Sequence, residues 1–120
     1  NETFRMVSYG LNRMLCVSEG DARTRLVFDG LSEIMSDSRH DTYCRGLIAA
    51  HFGAGIVVGC IDGKVKKVED KTVRLMVGAL GRTFRNGLKE AGEELRESVG
   101  DERVPAHIKD LARKALGHSR

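Results

Sequence analysis

Three features of the sequence predict an all-α fold. Apolar residues recur at spacings of three and four over long stretches, the period of a helix with one buried face. The chain holds a single Pro in 120 residues, so little in it breaks helices. Residues 47–61, Leu-Ile-Ala-Ala-His-Phe-Gly-Ala-Gly-Ile-Val-Val-Gly-Cys-Ile, carry no formal charge although 31% of the chain is charged. Such a stretch belongs inside. The expected architecture is a compact bundle of about five helices in one domain over 1–120, with this stretch at its centre.

Taken in order, Phe4, Val7, Leu11, Met14 and Leu15 form the stripe of a first helix over 3–17. Ser18 and Asp21 have capping-box spacing and open a second helix that runs to about Ser36. Its inward residues are expected to be Leu26 or Val27, Leu31, Ile34 and Met35. Ser38 and Asp41 repeat the cap spacing, so a third helix is expected over 39–61, with Tyr43 and Cys44 on its apolar face. Gly46, Ala50, Gly53 and Ala54 give it a small-residue side. Each Gly costs a helix about 1 kcal/mol against Ala, so a close neighbour or a ligand should offset the loss.

The alternative is a hairpin within 56–69, turning at Asp62-Gly63. Val65 and Val68, three apart, do not keep one strand face apolar. Helix through Cys60, with Gly63 as its left-handed cap, is therefore expected. A fourth helix over 69–98 carries the longest stripe: Val73, Val77, Leu80, Phe84, Leu88, Ala91 and Leu95. Unbroken, it would be a rod of roughly 40 Å, against a radius of gyration of about 13–14 Å for a chain this long. Either Gly87 or Gly92 bends it, or one end projects toward a partner. Its last turns, Lys89 to Glu97, read as a solvated exterior. Pro105 suits the start of a last helix and Gly117 its end.

Charge is uneven. The net charge is +3, and the basic excess lies between residues 61 and 87: Lys64, Lys66, Lys67, Lys71, Arg74, Arg82 and Arg85. On a helix Lys71, Arg74, Arg82 and Arg85 share roughly one face, as a phosphate-contacting surface would. The few aromatic residues sit in apolar stripes, which leaves no base-stacking platform.

Other chemistry is thinly represented. His51 is the one strongly polar side chain in the apolar stretch, either a neutral core residue or a ligand for a metal, haem or small molecule. Cys16, Cys44 and Cys60 lack any C-x-x-C spacing and read as buried free thiols of a reducing compartment. His40 and Cys44, four apart, form the one close metal-ligand pair, short of the four ligands of structural zinc. No hydrolase, nucleotide-loop or metalloprotease motif is present, so neither an enzyme nor a cofactor is expected. The apolar stretch of fifteen residues is shorter than the roughly 20 that span a bilayer, and no signal peptide is visible. The sequence thus predicts a soluble, cytoplasmic protein–protein interaction module. It is expected to form a homodimer through Val73, Val77, Leu80, Phe84, Leu88 and Leu95, with an unidentified protein partner. The alternative is nucleic-acid association through 64–85.

Overall fold

The computed structural model describes residues 22–61, 63–65 and 70–117. The expected helix over 3–17, with Cys16, lies outside the described residues, as do Lys66, Lys67 and His118. Five helices and one two-stranded ladder follow in order: α1 (Ala22–Ser36), α2 (Thr42–Val58), β1 (Cys60–Ile61), β2 (Lys64–Val65), α3 (Asp70–Arg85), α4 (Lys89–Gly100) and α5 (Ala106–Ala115). The fold is an all-α bundle. No helix among the described residues is long and apolar enough to cross a membrane.

The expected helix over 69–98 is two helices. Gly87 adopts φ +108°, a left-handed conformation that side-chain-bearing residues rarely take. The Gly87 N–H donates to the Phe84 carbonyl at 3.0 Å and the Leu88 N–H to the Thr83 carbonyl at 3.2 Å. These two bonds make a Schellman cap, which satisfies the last carbonyls of α3 and turns the chain. Leu88 then drops into the core and α4 folds back along α3. The ring of Phe84 lies over Gly92, where a Cβ would come 2.6 Å from Cδ1. The 40 Å rod is thereby halved, and the radius of gyration is 13.2 Å.

The helix-or-hairpin alternative resolves into both, in succession. Helix α2 ends at Val58, and Gly59 stays right-handed at φ −67°. Cys60 then pairs with Val65 and Ile61 with Lys64 in an antiparallel register. Gly63, at φ +73°, serves the hairpin turn rather than a helix cap. The helix therefore stops short of the expected Cys60. Gly117 ends α5 with φ +91°, as expected.

Helix α2 is central and packs against α1, α3 and α4. Its core face runs Arg45, Ile48, Phe52 and Ile56, stepping by three and four. Phe52 stacks on Phe28 of α1 with ring centroids 5.3 Å apart. Of the expected pair Leu26 or Val27, Val27 is half-buried and Leu26 is exposed at 71%, and Tyr43, also expected inward, is exposed at 61%. Cys44 is exposed as well. Each of Leu26 and Tyr43 lies two positions from the true core residue, Phe28 or Arg45, and so about 200° round its helix. Arg45 is buried because its Nε donates to the Met35 carbonyl at 2.8 Å, closing the last turn of α1, where a cation also opposes the helix dipole.

Helix α3 starts at Asp70, whose carboxylate accepts from Arg74 Nε and, at 2.8 Å, from His107 Nε2 of α5. These donors, Arg74 first, hold the Asp70 carboxyl below the usual carboxylate range. The pair ties α5 to the start of α3, and near its other end Gly81 lets Ala115 of α5 approach closely.

Candidate functional site

The apolar stripe expected to face a partner is internal. Val73, Val77, Leu80, Leu88 and Leu95 are at most 3% exposed, and Phe84 is half-buried against Gly92. These side chains form the seam between α3, α4 and the rest of the bundle, so within this fold only part of Phe84 is open to a second copy. Amphipathic spacing records that a face is covered, not whether another chain or the same one covers it.

The opposite side of α3 is basic. At 100° per residue, Lys71, Arg74, Gly78, Arg82 and Arg85 fall within an arc of about 80°. The four charged residues are all exposed. Arg74 pairs with Asp70, whereas Arg82 and Arg85 have no carboxylate partner among the described residues. From Lys71 to Arg85 the row spans roughly 21 Å. Lys64 is exposed on β2, and the adjoining α5 carries Lys109, Arg113 and Lys114 against a single acid, Asp110. The part of the expected stripe on α3 is thus an exposed row of cations along one face of the helix.

His51 lies inside, 2% exposed and tilted against Phe52 with ring centroids 5.9 Å apart. Burial lowers its pKa to about 4, so the imidazole is neutral at ordinary pH. His40 precedes α2, which starts only at Thr42, so His40 and Cys44 do not share the helical turn that their spacing suggested. His40 lies instead 3.9 Å from Asp37. Among the described residues no three His, Cys, Asp or Glu side chains converge as metal ligands.

Two clefts are lined by described residues alone. One, between α1 and α3, measures about 290 Å³ and is lined by Asp29, Ser32, Glu33, Ser36, Ala79, Arg82 and Thr83. Among the described residues the Ser32 and Thr83 hydroxyls there find no hydrogen-bond partner. The other, about 280 Å³, lies between α2 and α4. Its floor is the small-residue side of α2, namely Ala50, Gly53, Ala54 and Val57, and Glu94, Glu97, Ser98, Asp101 and Arg103 form its walls. Here the four-apart Glu90 and Glu94, read from sequence as solvated, cross the glycines of α2. Glu90 lies against Gly46 and Glu94 against Gly53. Burial, then the neighbouring Glu97 and Glu93, raise the Glu94 pKa to about 7. Nothing local in the sequence marks Glu94. Its environment depends on a glycine 41 positions earlier.

No protein-family model, curated protein or solved structure matches the chain.

Proposed function

We propose that the protein is a non-enzymatic binding domain whose working surface is the basic ridge of α3, and that its partner is a nucleic-acid backbone. The observation that carries this reading is the alignment of Lys71, Arg74, Arg82 and Arg85 on one exposed face of a single helix. A row of cations on a rigid rod meets regularly spaced phosphates and releases their counterions, and that release supplies the affinity. Recognition would be of charge and shape, because no aromatic residue lies along the ridge to stack a base. An exposed free thiol at Cys44 fits a reducing, intracellular setting.

Self-association through the apolar stripe is the weaker reading, since those side chains already fill the core. The large apolar residues exposed among those described are Leu26 on α1 and, at opposite ends of α2, Tyr43 and Val58, and singly exposed apolar residues are ordinary.

Fluorescence anisotropy with a labelled duplex tests the proposal. The double variant Arg82→Glu/Arg85→Glu should stay folded, since both side chains are exposed, and should bind at least tenfold more weakly. Equal binding by the wild type and the double variant would contradict it.

A further inference from the structure

The cleft between α2 and α4 is separate from the basic ridge and has its own chemistry. We propose that it binds a small organic cation, a primary ammonium on a short alkyl chain, held by Glu94, Glu97 and the Ser98 hydroxyl.

Three observations converge on that ligand. The Ser98 side chain is only 1% exposed, lines the cleft, and its hydroxyl has no hydrogen-bond partner among the described residues. Glu94 and Glu97, one turn apart on α4, stand in the same wall, and neither has an ion-pair partner among the described residues. The nearby Arg103 is already engaged, its Nε and Nη2 donating to the two oxygens of Asp101 at 3.0 and 2.8 Å. With that pair cancelled, the lining retains two acidic side chains, Glu97 and Glu94, and Glu94 carries its full charge only above about pH 7. An alkylammonium carries three N–H donors, which match two carboxylates and one hydroxyl. Its hydrocarbon body suits the apolar floor of Ala50, Ala54 and Val57. A short chain matches a cleft of about 280 Å³ that is open to solvent on one side, just under the usual range for ligand pockets. A bare divalent cation fits less well, because the described residues bring no three metal-ligating side chains together.

The charged groups around Glu94 are few. Helix α2 contributes none to the cleft, α4 contributes Glu97 beside Glu94, and the following loop contributes Asp101 and Arg103; Glu93, outside the lining, acts on Glu94 through space. An ammonium needs the carboxylate form of Glu94. Its pKa of about 7 therefore makes affinity rise about tenfold between pH 6 and pH 8, following the ionised fraction.

The test is titration of the full chain with n-butylammonium chloride, followed by amide chemical shifts at both pH values. Saturable shifts confined to residues around 50–57 and 94–103, about tenfold tighter at pH 8, are expected. Glu94→Gln, shown folded by its spectrum, should bind at least tenfold more weakly at pH 8 and lose the pH dependence. Glu97→Gln should weaken binding and keep that dependence. Failure to saturate, equal shifts with n-butanol, unaltered binding by Glu94→Gln, or preferential displacement by calcium would each overturn the proposal. Arg82→Glu/Arg85→Glu should bind the amine like the wild type, so the two functional readings stand or fall separately.

Discussion

The Glu94 side chain lies across the backbone of α2 at Gly53, where an added Cβ would be 2.9 Å from its carboxyl carbon and 3.0 Å from its own Cβ. A glycine inside a helix and a half-buried acid thereby become one feature. The glycine supplies the room and the acid occupies it, with its proton held to about pH 7.

Glu94 binds its proton more tightly in the folded chain than in the unfolded one, from an ordinary value of 4.5 to about 7. Its contribution thus favours folding at low pH and is lost as pH rises from about 4.5 to 7. His51 acts in the opposite sense. Its pKa falls from 6.5 to about 4, so its contribution is present above about pH 6.5 and is lost as pH falls toward 4. Between about pH 4.5 and 6.5 the two slopes oppose each other and flatten the stability curve. Glu94→Gln should unmask the His51 slope and stabilise the protein at pH 8 by about 1–2 kcal/mol, after discounting for solvent screening. Urea denaturation at several pH values checks this. Parallel curves for wild type and variant would contradict it.

Gly53→Ala should expel the Glu94 carboxylate into solvent. The atoms in the way are mainly the flexible end of that side chain, so the fold should survive. Helix propensity contributes roughly 1 kcal/mol in favour of the Ala. Carboxyl NMR is expected to show Glu94 titrating near 7 in the wild type and falling toward 4.5 in the variant. An unmoved pKa would mean that Gly53 does not set the environment of this acid.

Gly92→Ala should behave differently, because its neighbour is the ring of Phe84, with Cδ1 2.6 Å from the new methyl, and a packed ring has no free end to swing. Overpacking of this kind costs about 1–3 kcal/mol, which should outweigh the gain in propensity. Thermal melts should show Gly92→Ala less stable than the wild type, and Phe84→Leu in the same chain should recover part of the loss. Additive losses in the double variant would show that the two sites do not touch.

Leu80 is fully buried in the seam once expected to face a partner. Leu80→Ala should cost about 2–5 kcal/mol at any protein concentration, and Leu80→Asp should not fold. A folded Leu80→Asp protein altered only in oligomeric state would restore the stripe as an interface.

Much of the fold is legible in the sequence because it follows from period and punctuation. The apolar run over 47–61 announces the central helix, and the 73–95 stripe marks a buried face. Gly87 and Gly92 are both places where the long stripe could bend, and the turn falls at Gly87. What local spacing misses is phase and partner. Leu26 and Tyr43 are apolar residues two positions out of phase with Phe28 and Arg45, and an inward arginine is invisible until the end of α1 is placed above it. The basic ridge is legible because its members lie on one helix. The α2–α4 cleft is not, because Gly53 and Glu94 meet only through the turn at Gly87 that folds α4 back.

The most direct test of the basic ridge as a nucleic-acid surface is the salt dependence of duplex binding by the full chain. Four phosphate contacts predict a fall in affinity on the order of 100-fold between 50 and 200 mM salt. In Arg82→Glu/Arg85→Glu the slope should drop by about two contacts. A steep slope that flattens in the variant is the expected result. Binding that is absent at 50 mM salt, or that varies with salt identically in both proteins, would contradict a function seated on α3.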